Sequence, residues 1–506
     1  MPNFDENTKV WCTLKQLKEN WGDPIRSDPL HKDQTFTPGE AKDAMLEIVG
    51  RTVGNSNAII RMAVEDIPYN YFVCEKNLLA YVKNKATQVT DEVRQYTRIA
   101  KLSDTKVLLG WLIDGKVYLK MFVYNLNNNT WSPSSLVHQV HGRVNLKVRH
   151  FDLIGMSDKV AILGLIPEGD SSTQHLLRIS VLGDSIYEQG ESTTLSKQFA
   201  DYISLCRLTN TKFMCALWGF DYFDSNTNQI DPYRGQTFVL ELEMYPFIAS
   251  GNAKQEFTVT KVAHYGERAF LTGTKKTPYA LTMMAVDENS IILARLANYE
   301  QYVITEKICP HSTQPYVLIT PEAFWHQDAI HDATKICSTL LLPDFIVSCV
   351  TAQNKVFCVV DKLATRERVL KTAILNSAPD NIAVKNIGQN NFVFLATWAD
   401  ANNRNSQLIK FRYNEVNNSI IELGKVENLQ LGNAALEALT YDNAVLCGNR
   451  TYGENAVKLT IQPCSISSGV AVAHRNDEII GISDVAAKAG DNVVISGLAE
   501  RYPNDD

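Results

Sequence analysis

No stretch of this chain is long and apolar enough to cross a bilayer as a helix, which takes roughly 18 to 20 residues. The greasiest segment, Leu340 to Val350, is broken by Pro343 and Asp344 and reads as a buried strand. Positive charge is not in excess either. The 49 Lys and Arg against 56 Asp and Glu leave a net charge of −7, and the basic residues are scattered rather than striped. Such a surface offers no footprint for duplex DNA or an anionic membrane, so neither nucleic acid nor membrane insertion is expected. The ten cysteines include no Cys-x-x-Cys pair, and Cys215, Cys349, Cys358 and Cys447 sit inside apolar runs. Reduced, buried thiols are expected rather than a disulfide framework or a zinc site. The opening residues Met1-Pro2-Asn3-Phe4-Asp5-Glu6 lack the basic flank and apolar core of a secretory signal, so signal-dependent secretion is not expected. On that reading the sequons at Asn128-Asn129-Thr130, Asn417-Asn418-Ser419 and Asn449-Arg450-Thr451 are chance matches.

Catalytic signatures are missing too. The chain has no phosphate-cradling loop, dinucleotide fingerprint, nucleophile elbow or His-Glu-x-x-His. His326 and His331 are five apart, the wrong interval for a metal pair on one helical face, and read as part of a polar loop. No cofactor is implied.

What is present is a repeat, and a period of 20 to 50 residues decides the fold before any local reading does. A polar turn followed by a short apolar strand recurs along the 506 residues. Leu102-Ser103-Asp104-Thr105-Lys106-Val107 leads into Leu108 to Trp111, Met156-Ser157-Asp158-Lys159-Val160 into Ala161 to Leu165, and Leu208-Thr209-Asn210-Thr211-Lys212-Phe213 into Met214 to Trp218. Weaker copies start at Val286, Leu341, Ile387 and Leu439, making seven with spacings of 54, 52, 78, 55, 46 and 52 residues. Each apolar strand is followed by one of alternating character, such as Lys116 to Tyr124 or Gln407 to Tyr413. The pattern predicts an all-β chain: residues 96–465 form a β-propeller of about seven blades, each a four-stranded antiparallel sheet. The apolar strand is read as the inner one, covered by neighbouring blades on both faces.

The Asp or Asn of each turn (Asp104, Asp158, Asn210, Asp287, Asp344, Asn390, Asp442) is expected to close it by bonding nearby backbone N–H groups rather than to form a ring of functional carboxylates. Trp111, Trp218 and Trp398 end three apolar strands and are explained most economically by blade packing. Residues 1–95 lack the repeat. There Thr37-Pro38-Gly39-Glu40 predicts the capped start of one short helix through Val49, within a mixed extension that wraps or attaches the propeller. Residues 466–506 read as a small β module, two strands flanking an Ala-rich turn.

The 78-residue interval holds an insertion, Trp218 to Arg234, in which Trp218, Phe220, Tyr222, Phe223, Tyr233 and Arg234 interleave with amides and carboxylates. Rings supply apolar area and polar groups fix orientation, which suits a protein partner or a stacked sugar. The plainer alternative is a long hairpin packed on its neighbours. Asp224, Asn226 and Asn228 alternate like the start of a calcium loop, but Gln229 stands where Gly is expected and Gly235 where a bidentate Glu belongs, so calcium is a weak reading. Propeller glycosidases use central carboxylates, and no pair here can be singled out from spacing.

The run Ile479-Ile480-Gly481-Ile482, then Ala486-Ala487-Lys488-Ala489-Gly490-Asp491, then Val493-Val494-Ile495-Ser496-Gly497 resembles a small β-module of capsid-decorating and tail or fibre proteins of tailed bacteriophages and large DNA viruses. The propeller itself has no Trp-Asp with Gly-His, no kelch Gly-Gly and no sialidase Ser-x-Asp-x-Gly-x-x-Trp box. The resemblance implies a non-enzymatic, virion-associated structural, decorating or receptor-contacting protein whose partners are other particle proteins. The alternative is a carbohydrate-binding or glycoside-hydrolase-type propeller that meets cell-surface glycans through its central funnel or the insertion. A cytoplasmic interaction scaffold is the third reading.

Overall fold

The computed structural model describes residues 59–62, 67–69, 71–76, 80–81, 87–90, 469–472, 479–483, 486–487 and 492–496, and residues 96–465 except 126–129, 142–146, 169–173, 190–199, 225–228, 245–256, 264–270, 276, 297–302, 309–321, 325–329, 342–343, 389, 399–405, 441–442 and 453–455. Among these residues every regular element is a strand. The helix expected after Thr37 lies outside them.

Seven sheets, each built on a four-strand antiparallel path, follow one another along the chain. Their first strands are Thr97–Ser103, Val148–Gly155, Tyr202–Arg207, Leu281–Ala285, Lys335–Leu341, Asn381–Asn386 and Leu431–Ala438. Each touches the next, and the seventh touches the first, so the ring closes. Every adjacent pair of blades has its own apolar core. Phe151, Leu163 and Leu119 pack between blades 1 and 2, and Ile203, Phe213 and Ile162 between blades 2 and 3. Leu293 packs with Trp218 between blades 3 and 4, and Val350 with Ala294 between blades 4 and 5. Phe392 with Val347, Leu446 with Leu395, and Trp111 with Cys447 fill the remaining three interfaces. The chain is a seven-bladed β-propeller.

The most apolar strand of each blade is the second, not the innermost one that the sequence pattern predicts. Ile291–Leu296, Phe345–Ala352 and Asn391–Thr397 are buried at every position, whereas the first strands Tyr202–Arg207, Lys335–Leu341 and Asn381–Asn386 alternate buried with half-exposed residues. The reason is geometric. A second strand is covered by a neighbouring blade on each face, while a first strand turns one face to the central channel.

The recurring turn therefore joins the first strand to the second, and its closure differs from the expectation in blades 1 to 3. There the hydroxyl one residue ahead of the Asp or Asn does the bonding: Ser103 accepts from the Thr105 N–H at 3.3 Å, Ser157 from Lys159 at 3.3 Å, and Thr209 from Lys212 at 2.9 Å. Among the described residues, only at Asp287 does the carboxylate itself take the turn's donors, Asn289 N–H at 2.8 Å and the Ser290 hydroxyl at 2.6 Å. Asn390 contributes a different property, a left-handed φ of 59° that Asn tolerates. Asp442 lies outside the described residues.

The two flanks, read as separate from the sequence, are joined. Ile59–Met62, Asn492–Ser496, Ile479–Ser483, Phe72–Lys76 and Gly469–Val472 form one five-stranded sheet in that order. The buried Ser483 hydroxyl accepts from the Tyr71 N–H at 3.0 Å and donates to the Pro68 carbonyl at 2.6 Å, tying the two ends of the chain together. The N-terminal region also completes the ring: Thr87–Thr90 and Ala80–Tyr81 pair with Ala456–Ser465, the third strand of blade 7.

Candidate functional site

Two features stand out, one at the end of the ring where second and third strands join, here the hairpin end, and one along the axis of the ring. The first is the blade 3 hairpin. Its strands run 13 residues (Lys212–Asp224) and 16 residues (Gln229–Met244), against 8 for Val160–Pro167 and Phe345–Ala352. The last pairing with the first strand is Tyr202↔Trp218, so six residues reach beyond it, about 20 Å at roughly 3.3 Å each. At the departure point Gly219 has φ +92°, and a Cβ there would lie 2.6 Å from that of Asp201. Only glycine fits both demands. Leu271–Thr274 pairs with Gly235–Thr237 and makes the base three-stranded.

The predicted contact residues divide here. Trp218 is 1% exposed in the core between blades 3 and 4, and its indole N–H donates to the Thr277 carbonyl at 3.0 Å. It has no face for a sugar. Phe220, Tyr222 and Phe223 lie on the outgoing strand, opposite Gln236, Asp231 and Ile230, and Tyr233 and Arg234 on the returning one. Asp224 pairs with Gln229 across the tip, while Asn226 and Asn228 lie outside the described residues. Among the described residues no group of three His, Cys, Asp or Glu is placed to hold a metal.

The second feature is the central channel, a cavity of about 530 Å³ lined by the first strands. Its walls carry Arg98, Lys101, Arg207 and Lys385, and two carboxylates, Asp152 and Glu437. Both carboxylates are engaged. Asp152 Oδ1 accepts from Arg98 Nε at 3.0 Å and Oδ2 from the Leu205 N–H at 2.7 Å, which joins blades 1, 2 and 3 through one side chain. Glu437 pairs with Lys385 at 2.7 Å. Each of these ion pairs spans almost one repeat, 54 and 52 residues, so opposite charges at matching blade positions were a signal the sequence carried.

Beside the channel an aromatic row crosses three blades. Tyr96 and His150 have centroids 4.8 Å apart, His150 and Tyr202 5.3 Å, Tyr202 and Trp218 5.5 Å. Arg98 caps it, 4.1 Å over the Tyr96 ring. His150 is buried; its Nδ1 accepts from the Ile203 N–H at 3.3 Å, and no described residue partners its Nε2. Burial, then the Arg98 and Arg149 charges, holds its pKa well below the ordinary 6.5. The native state thus keeps His150 neutral while the unfolded chain takes up a proton. Stability from this group is complete above about 6.5 and is lost as pH falls below it. We expect urea denaturation to show stability declining from neutral into acid pH, with a flatter slope in His150→Leu. An unchanged slope in that variant would assign the acid sensitivity elsewhere.

No family model matches the chain, and no curated protein matches it. Solved structures do. A protein of unknown function from Dyadobacter fermentans is similar at 7% identity and TM-score 0.40, covering 80% of this chain and 99% of that one. The RRP9 WD40 repeats are similar at 11% identity and TM-score 0.42, covering 75% and 99%. The NanB sialidase from Streptococcus pneumoniae is similar at 11% identity and TM-score 0.39, covering 75% and 70%.

Proposed function

We propose that this chain is a non-enzymatic structural propeller of a larger assembly, contacting a protein partner through the blade 3 hairpin, and that the assembly is a virus particle. The observation that carries the reading is the hairpin itself. A blade needs no third- and second-strand extension of about 20 Å to pack, and the extension is the segment rich in Phe, Tyr and Arg, residue types enriched at protein interfaces. The virion assignment is supported by the resemblance of residues 479–497 to particle-surface modules. Hydrolysis of glycosidic bonds is the less favoured chemistry, because both carboxylates of the channel wall already hold a cation.

The test is density-gradient fractionation of the native source, following the polypeptide by mass spectrometry, with glycan-array binding of the recombinant chain alongside. Co-sedimentation with large particles, lost when residues 221–234 are replaced by a two-residue turn, is expected. A free protein that binds a defined glycan would overturn the reading.

A further inference from the structure

We propose that the turn end of the central channel binds a small phosphorylated molecule carrying at least two negative charges. Four cations and two carboxylates line the cavity, a local excess of two positive charges in a chain whose net charge is −7. Such an inversion inside a walled cleft focuses the field on an anion.

The cations are not evenly spread. Arg98 is the second residue of its strand, near the hairpin end. Lys101, Arg207 and Lys385 come late in Thr97–Ser103, Tyr202–Arg207 and Asn381–Asn386, so three different blades bring a cation to the turn end. Their partners differ. Lys385 is held by Glu437 at 2.7 Å, and Lys101 by Asp104 at 2.7 Å and by the Leu439 carbonyl. Arg207 donates only to the neutral side-chain amide of Asn210 and has no carboxylate partner among the described residues. A guanidinium so placed keeps donors for a phosphate, which it matches in a fork geometry.

Of the acids beyond the cavity wall at this end, Asp104 offsets Lys101, which leaves Arg207 as the wall cation without a carboxylate partner among the described residues. Asp287 is taken by Asn289 and Ser290 of its own turn, and Asp158 is exposed on the turn of blade 2. The cavity volume of about 530 Å³ falls within the range of small-molecule sites, roughly 300 to 1,000 Å³. This site is independent of the partner contact proposed above: it lies at the opposite end of the ring and uses none of the hairpin's residues.

The experiment is isothermal titration of the full chain with sodium tripolyphosphate, with trehalose as a neutral comparison. We expect one saturable site for tripolyphosphate and none for trehalose. Arg207→Gln should weaken binding about tenfold, the loss of a charge-assisted contact. Glu437→Gln, which removes a wall carboxylate and releases Lys385, should tighten it severalfold. Lys355→Gln, an exposed position at the hairpin end of blade 5, should change nothing. Absence of saturable binding overturns the proposal, as does an unchanged affinity in Arg207→Gln. Equal weakening by Lys355→Gln also overturns it, since that is the response of non-specific attraction. Glu437→Gln keeps side-chain volume and Arg207 is exposed, and melting curves matching the parent show that the affinity changes are read on folded protein.

Discussion

A chain shortened to begin at residue 92 should unfold less cooperatively than the parent and expose a sticky sheet edge, read by a broadened thermal melt and by light scattering. The third strand of blade 7, Ala456–Ser465, has its outer backbone groups paired to Thr87–Thr90 through Leu459↔Thr90, Thr460↔Gln88 and Ile461↔Thr87. Without that strand the row of N–H and C=O groups is unpaired, the condition that invites association with another chain. The loss reaches the core as well. Val89 is 8% exposed and packs with Ile99, Trp111 and Ile461 in the interface between blades 7 and 1, the place where the ring closes. A substitution separates closure from mere length. Val89→Asp puts an unpaired carboxylate among those apolar side chains and should cost about 3–5 kcal/mol, at the severe end of single-residue effects. Gln88→Lys, one residue away and exposed, should stay within about 0.5 kcal/mol. If Val89→Asp unfolds at the parental urea midpoint, the ring is not held shut by this strand.

The closing strand also shows where the sequence stops being readable. Thr87-Gln88-Val89-Thr90 is four residues with one apolar side chain, and its pairing partner lies roughly 370 residues along the chain. Nothing local marks it as part of blade 7, so the N-terminal region reads as an appendage. The same holds for Phe72–Lys76 and Ile479–Ser483, which become one sheet only by a long-range pairing. The repeat was legible for the opposite reason. Each Ser-Asp or Thr-Asn turn must reverse the chain between two strands of fixed length, so the turn residues recur at the blade period. Periodicity locates a strand pair but does not say which member faces the axis. Val107 to Trp111 is apolar because blades cover both faces, and an innermost strand such as Asn381–Asn386, with Asn381 and Lys385 on the channel wall, looks like a surface strand when read alone. At the candidate site the insertion was legible as an excess of length, while the burial of Trp218 follows from a neighbouring blade that the sequence does not place beside it.

That burial governs what Trp218→Ala does. The variant should lose about 3–5 kcal/mol of stability, the cost of truncating a fully buried large aromatic. Three losses combine. The side chain is 1% exposed and fills the core shared with Leu281, Ile291 and Leu293 of blade 4. Its indole N–H holds the Thr277 carbonyl at 3.0 Å, which would be left without that donor. Its ring ends the row that runs through Tyr202 and His150 to Tyr96. Urea denaturation followed by circular dichroism measures the effect, and a midpoint equal to the parent's would refute the packing role. Shortening the hairpin beyond residue 220 removes none of these contacts, so that variant should unfold with the parent. The contrast decides how binding experiments are read. Loss of partner association in Trp218→Ala reports a destabilised interface between blades 3 and 4, because the side chain cannot reach a partner. Loss in the shortened but equally stable variant reports the contact itself.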